Sequence, residues 1–229
     1  MGKTATVKKP VSYCYTPYFG ADGKTEFIEV WQVLEDEVLG VLYPWQYVPA
    51  AQTSSRIETL NFLALTQFEE DAAKYQDVGF IYKISSRLLA EGNVHRLAGF
   101  IQNNLILCFD IFQLEAFGER NSRLGLNFLT KRGARIMIEG IERAPMDVIA
   151  KYQPEYFLLD YRYYNQSNFS LLSIFANLAG QKGIKLVLGN AVNKNNIELF
   201  EKEGVKITGG SAYAKPKKKL ETLLGKANQ

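Results

Sequence analysis

The sequence has few of the residues on which nucleophilic and acid–base sites depend. Histidine occurs once, as His95, and cysteine twice, as Cys14 and Cys108. His95 falls in a predicted helix away from the strand ends, so we do not expect it to act as a general base. The two cysteines lie far apart in apolar strands without a histidine partner. This pattern is typical of buried free thiols in a reducing compartment.

Long apolar runs are also missing. Residues 163–181 carry no charge, but Asn, Gln and Ser side chains interrupt the stretch, so it predicts a buried helix and not a membrane span. The N-terminus has no apolar signal region. These absences predict a soluble cytoplasmic protein.

Positive charge is scarce outside the two ends of the chain. The net charge is +3, yet residues 1–10 hold three lysines, and residues 215–229 hold five lysines against Glu221 alone. The rest of the chain has 19 basic and 23 acidic residues and is therefore near −4. We interpret residues 1–10 as a basic N-terminal arm and residues 217–229 as a solvated basic C-terminal tail.

The basic tail leaves an alternative open, a weak contact with nucleic acid, lipid headgroups or an acidic partner. Its lysines are not interleaved with aromatic residues that could stack on bases, so a nucleic-acid partner is not expected.

Residues 11–216 are predicted to form one domain. The chain is 47% hydrophobic, which is enough to bury a substantial core, and no linker or low-complexity segment divides it. The turn at Asp22-Gly23 joins the first two apolar runs and predicts an antiparallel hairpin. The predicted strands cover residues 12–19, 27–33, 78–85, 105–111, 135–140, 156–160, 184–188 and 205–209.

Helices are predicted between the later strands. Residues 44–49 begin and end with proline and are interpreted as a rigid loop. A long helix follows, because apolar residues recur there at helical spacing. The predicted helices cover residues 54–76, 88–102, a segment ending near 131–133, and residues 147–152, 169–181 and 193–203.

The order of these elements predicts an α/β fold. Nearly continuous apolar runs are typical of parallel strands that helices cover on both faces. Eight such strands predict a modified TIM-type (β/α)8 barrel with an antiparallel strand at its start. An open doubly wound sheet is the alternative, but no glycine-rich turn follows a strand as it would at a dinucleotide site.

Acidic side chains lie at or near the ends of several predicted strands. Barrels of this type place their sites at the C-terminal ends of the strands, so these side chains are expected at one mouth. They are Glu29, Asp110, Glu139 and Asp160.

The order of short motifs around these acids resembles the EAL-domain family, phosphodiesterases that linearise the bacterial second messenger cyclic di-GMP. The signature strand is matched by Glu29-Val30-Trp31, and the later aromatic-Ile-Pro element by Tyr47-Val48-Pro49. Further matches are Leu158-Leu159-Asp160 for a Lys-Ile-Asp strand end and Lys215-Pro216 for a closing Lys-Pro pair. The resemblance covers nearly the whole chain and implies the barrel fold.

Most of the family's functional positions are changed here. Active members hold two divalent metals with carboxylates and an asparagine, and they use a lysine, an arginine and a glutamine around the substrate. The resemblance implies that these functions are lost at Val33 (arginine), Lys83 (asparagine), Cys108 (glutamate), Gly140 (aspartate), Leu158 (lysine), Gly189 (glutamate) and Gly209 (glutamine).

These changes predict a catalytically inactive site with vestigial acids. Two hard cations held close together need several oxygen ligands, and Lys83 adds like charge at a ligand position. No cofactor is therefore expected, and Mg²⁺ or Mn²⁺ would bind only if Glu29, Asp110 and Glu139 together hold one ion. The favoured interpretation is that these acids pair with Lys83 and Arg143.

The sequence therefore predicts a regulatory protein that acts in bacterial signalling through contacts with an unidentified protein partner. Aromatic residues between 156 and 164, together with Arg162, fit an interface, although core packing explains most of them equally well. A cyclic di-GMP sensor, or residual metal-dependent phosphodiesterase activity, is the alternative. Residues 141–146 form a shorter loop than in the family, which argues against the family's usual dimer.

Overall fold

The computed structural model describes residues 11–51, 56–164 and 168–224. The basic arm of residues 1–10 and the last five residues of the tail lie outside the described residues. The strands within the described ranges are β1 (Val11–Gly20), β2 (Thr25–Asp36), β3 (Gly40–Leu42), β4 (Gly79–Lys83), β5 (Leu105–Asp110), β6 (Arg135–Glu139), β7 (Tyr156–Asp160), β8 (Lys185–Gly189) and β9 (Ile207–Gly209).

Helices pack around the strands on the outside. In the same ranges they are α1 (Pro44–Ala51), α2 (Arg56–Ala73), α3 (Glu91–Ala98), α4 (Ile111–Phe117), α5 (Glu119–Thr130), α6 (Met146–Ile149), α7 (Phe169–Lys182), α8 (Ile197–Lys202) and α9 (Glu221–Leu224). None of these helices is long and apolar enough to cross a membrane.

Eight strands close into a ring, and β3 pairs with β2 outside it. The ring runs β1-β9-β8-β7-β6-β5-β4-β2 and closes through β1 and β2. β1 is antiparallel to both of its neighbours, while the pairs from β2–β4 round to β8–β9 are parallel. The predicted modified (β/α)8 barrel with an antiparallel start is confirmed.

Two apolar layers hold the barrel together. Side chains such as Tyr18, Ile106, Met137 and Val187 fill its interior, and a larger layer lies between the strands and the helices. Both faces of the parallel strands are therefore buried, which explains why these strands appear in the sequence as continuous apolar runs.

Two predictions of secondary structure, one near prolines and one near a glycine, are wrong. Residues 44–49 form helix α1 and not a loop, because Pro44 occupies the first helical position, where its missing N–H costs nothing. The helix predicted to end near residues 131–133 is broken into α4 and α5 at Gly118, whose φ of 101° is outside the helical range.

Other boundaries also differ from the prediction. The helix predicted for residues 88–102 begins as a tight turn at Ser86–Leu89 and continues as α3. Helix α8 starts later than predicted, because Asn196 precedes it in the left-handed region with φ of 60°. β3 was not predicted at all, since three residues are too few for a period-two pattern.

Part of the predicted tail packs on the barrel. The backbone of Lys217 pairs with that of Tyr15 through two hydrogen bonds of 2.8 and 2.9 Å. Leu220 is buried in the outer apolar layer, whereas the side chains of Lys217, Lys218 and Lys219 are exposed. The first residues of the tail thus cover β1 with their backbone and present their charges to solvent.

Replacing Leu220 with alanine tests this packing. We expect Leu220→Ala to lower the free energy of unfolding by about 2 kcal/mol, because it removes a buried side chain. The exposed neighbour provides the control, since Lys218→Ala should change the value by less than about 0.5 kcal/mol. Urea unfolding of both variants measures the difference, and equal effects would show that the tail does not support the fold.

Candidate functional site

A half-buried lysine lies at the centre of the barrel mouth. Lys83, at the end of β4, places its Nζ 2.8 Å from Glu29 Oε1 and 2.8 Å from Glu139 Oε2. Burial acts to lower the pKa of Lys83, but Glu139 and Glu29 outweigh it and raise that pKa well above its usual range. The residue is therefore an ammonium ion, and the predicted pairing of Lys83 with these two acids is confirmed.

Tyr18 completes the surroundings of Glu29. Its hydroxyl donates to Glu29 Oε2 at 3.1 Å, so both carboxylate oxygens of this almost fully buried glutamate have a partner. The tyrosine ring lies against Gly209, where a Cβ atom would overlap it, and a Cβ at Gly189 would lie 2.8 Å from the hydroxyl oxygen. The two glycines thus make room for the ring.

Sequence reasoning missed Tyr18. Gly189 and Gly209 are two of the positions that the resemblance marks as changed, and they face the same side chain on β1. Adjacent inward-facing glycines signal that a large side chain fills the space between them. Several aromatic residues of the chain could have done so, and the sequence does not distinguish among them.

The other two acids have their own arginines. Asp110 caps α4 by accepting from the N–H groups of Phe112 and Gln113, and Arg143 Nη2 lies 3.3 Å from its Oδ2. Asp160 pairs with Arg162 at 2.6 Å. The structure therefore assigns a cation to each acidic side chain that was predicted at the mouth.

The acids do not form a ligand group. Within the part of the chain that the structure describes, no three His, Cys, Asp or Glu side chains are placed to hold a metal ion. Glu29 and Glu139 meet at Lys83, while Asp110 is turned toward Arg143 and the first turn of α4.

Three changed positions serve packing. Cys108 and Leu158 belong to the apolar interior of the barrel, and Val33 is also buried. Burial raises the pKa of the Cys108 thiol well above its usual value, so the thiol is neutral and unreactive. Gly140 adopts φ of 80°, and a side chain there would crowd Arg143 and Asp110.

Aromatic side chains cover part of the mouth. Lys83 Nζ lies 4.8 Å from the centre of the Trp31 ring, and Trp31 packs edge-on against Trp45. Trp45 in turn stacks on Tyr43 with 4.7 Å between ring centres. A cavity of 280 Å³ is lined by Trp31, Trp45 and Gln32, and a larger one of 560 Å³ is lined by Trp45 and Arg162.

A buried carboxyl group supports the loop beside the mouth. Glu142 Oε1 accepts from the backbone N–H of Asp160 at 2.6 Å and from the Tyr164 hydroxyl at 3.3 Å. Glu142 Oε2 is buried without a hydrogen-bond partner. Burial raises the pKa of Glu142 to about 7, although the Asp160 N–H acts to lower it.

Comparisons with known proteins agree with this architecture. A family model described as EAL domain matches residues 3–216. No curated protein matches the sequence. The solved structure described as PaMucR phosphodiesterase in complex with c-di-GMP is 16% identical, has a TM-score of 0.80, and matches 93% of this chain and 100% of its own.

Two further solved structures are longer than this chain. The EAL enzyme Bd1971, bound to cAMP and cyclic di-GMP, is 15% identical with a TM-score of 0.80, over 95% of this chain and 65% of its own. The Bacillus subtilis YkuI protein, in complex with c-di-GMP and calcium, is 17% identical with a TM-score of 0.71, over 92% of this chain and 56% of its own. At these identities the similarity shows the barrel fold.

Removing the lysine tests the balance of charge at the mouth. We expect Lys83→Met to lower the free energy of unfolding by about 3 kcal/mol, because it leaves Glu29 buried without a cation. The exposed Arg162 gives the control, since Arg162→Met should cost less than about 1 kcal/mol. Urea unfolding at pH 7 measures both, and a small loss for Lys83→Met would contradict the assigned role.

Glu142 predicts a dependence of stability on pH. Its pKa rises from the ordinary 4.5 to about 7 on folding, so the folded protein binds a proton that the unfolded chain releases between these values. The stability contributed by this proton is present below pH 4.5 and is lost as the pH rises through 7. Relative to Glu142→Gln, the wild-type chain should lose about 2 kcal/mol between pH 5 and pH 8.

The exposed Glu37 provides the control for this measurement. Glu37→Gln removes a surface charge and should follow the wild-type pH profile. Parallel profiles for the wild-type chain and Glu142→Gln would show that Glu142 does not titrate in this range.

Proposed function

Since the chain belongs to the EAL domain family, we propose that it is a non-catalytic member that regulates bacterial signalling through contact with a partner protein. The observation that carries this proposal is the Lys83 ammonium, which lies 2.8 Å from both Glu29 and Glu139. A cation that belongs to the chain occupies the position between the two carboxylates.

The residues at the mouth do not fit a pair of divalent metals. Mg²⁺ and Mn²⁺ require several oxygen ligands, and a second cation nearby raises that requirement because the charges repel each other. Glu29 and Glu139 share one ammonium ion, and the Tyr18 ring fills the space beside Gly189 and Gly209. A metal would have to displace Lys83, and it would find no ligand at Cys108 or Gly189, while Asp110 is engaged by Arg143 and the first turn of α4.

The mouth also has fewer hydrogen-bond donors for a phosphodiester than the family pattern implies. Phosphate groups are held best by arginine and by other charged donors. Val33 and Leu158 are buried apolar side chains, and Gly209 offers no side chain at all. Lys83 itself is engaged by two carboxylates. These features argue against binding of cyclic di-GMP.

A second candidate is a sensor that binds cyclic di-GMP without turnover, or an enzyme with residual metal-dependent activity. The aromatic cavity of 280 Å³ beside Gln32, Asn61 and Ser85 favours it, because such cavities accept planar ligands. The solved relatives PaMucR, Bd1971 and YkuI are described in complex with c-di-GMP. The cavity adjoins Lys83, so binding of this kind would compete with the Lys83 ion pairs.

Calorimetric titration with cyclic di-GMP distinguishes the two candidates. For the whole chain we expect no binding at a ligand concentration of about 100 μM, and no linear product, with or without Mg²⁺ or Mn²⁺. PaMucR, run in parallel, is the positive control. Micromolar binding would favour the sensor, and metal-dependent turnover would overturn the assignment as non-catalytic.

A further inference from the structure

Exposed apolar side chains gather on one face of the barrel. Among the described residues, seven of the eleven large apolar side chains that are exposed lie in the segments that closely follow the C-terminal end of a strand. Four of them lie after four different strands, and we call these four the mouth rim: Trp45 (63% exposed), Phe112 (41%), Tyr163 (36%) and Val192 (58%).

The mouth rim surrounds one concave surface. The Arg143 guanidinium lies 4.9 Å from the centre of the Phe112 ring and 6.0 Å from that of Tyr163. Trp45 and Tyr163 both border the cavity of 560 Å³, and Trp45 and Val192 both border an adjoining cavity of 240 Å³. The four side chains thus lie around one opening.

Elsewhere the exposed apolar residues are scattered. Leu63, Leu124 and Ile174 lie one each on α2, α5 and α7. Single exposed apolar residues are normal on a soluble surface, whereas a cluster with polar residues around it marks an interaction site. Tryptophan, tyrosine, phenylalanine and arginine are also the residue types enriched where proteins bind each other.

The side chains at the floor of the opening carry a net negative charge. The cavities of 560 and 240 Å³ are lined by four carboxylates, Glu29, Asp110, Glu139 and Asp160, and by three cations, Lys83, Arg143 and Arg162. Lys83 serves two of the acids, while each arginine serves one. One negative charge therefore remains without a cation of its own, and it favours a positive group entering from outside.

We propose that the mouth rim binds a segment of a partner protein that presents apolar side chains around a single Lys or Arg, which enters the opening. This inference rests on the proposed function, and it adds the surface and the chemistry of the partner. The apolar side chains of the segment pack on Trp45, Phe112 and Tyr163, and its basic group meets the carboxylate excess.

The same features disfavour other occupants. The excess of carboxylates repels the phosphates of a nucleic acid or an anionic membrane. Charged side chains line the floor, so a purely apolar segment would remove their water without offering hydrogen bonds in its place. An apolar segment with one basic residue is not repelled by the carboxylates, and its basic group can interact with the charged floor.

Selection of peptides on the whole chain tests the proposal. The probe is a phage-displayed library of random 12-residue peptides. We expect an enriched pattern with one Lys or Arg between apolar residues. A synthetic peptide of that pattern should bind at least tenfold more weakly when its basic residue is replaced with Glu.

Surface variants then locate the binding. Phe112→Ser and Trp45→Ser should each weaken the selected peptide at least tenfold, and Leu124→Ser, on the outer face of α5, should leave its affinity unchanged. Thermal unfolding of each variant shows whether it is folded. If one rim variant does not fold, the other alone is sufficient to test the binding site.

Three results would overturn the proposal: no enriched pattern, an acidic pattern, or equal binding by the rim variants and the wild-type chain. Peptide binding that depends on Leu124 would reject the mouth rim but leave a protein-contact function in place. The proposed function is tested separately by the calorimetric titration, where binding or turnover of cyclic di-GMP would contradict it.

Discussion

The mouth of this barrel depends on one ammonium ion. Parallel strands bring the buried Glu29 and the half-buried Glu139 to the same end of the barrel, where the two carboxylates would repel each other and lose part of their hydration. Lys83 lies within 2.8 Å of both and so offsets each cost. The remaining acids need no part in this cluster, because Asp110 pairs with Arg143 and Asp160 pairs with Arg162.

The changes around Lys83 form one packing solution. Gly189 and Gly209 leave the space that the Tyr18 ring fills, and the Tyr18 hydroxyl satisfies the second oxygen of Glu29. A larger residue at either glycine would displace the ring and leave Glu29 without this donor. The glycines, the tyrosine and the lysine therefore constrain one another.

The barrel and its acids could be predicted because they depend on repeating patterns. Alternation of apolar runs with helices gives the strand order, and the order of strands places Glu29, Glu139 and Asp160 at one end. The resemblance places Lys83 beside these acids, and the opposite charges then predict the pairing. The role of Tyr18 could not be predicted, because it depends on which aromatic ring fits beside two glycines that are far from it in the sequence. Helix α1 could not be predicted, because a proline at its first position is equally compatible with a loop. The burial of Leu220 likewise depends on a contact made far away in the sequence.

The closed centre and the apolar rim are parts of the same arrangement. A mouth whose charges are paired internally has little to offer a small charged ligand, because each donor would have to leave a partner first. The rim is less covered: Trp45 and Val192 keep more than half of their surface in water, which is unfavourable unless something covers them. The four carboxylates beneath the rim exceed the three cations by one negative charge, which favours a covering group that is positive. Burial at the rim and charge at the floor thus favour the same partner, an apolar segment that carries one positive charge.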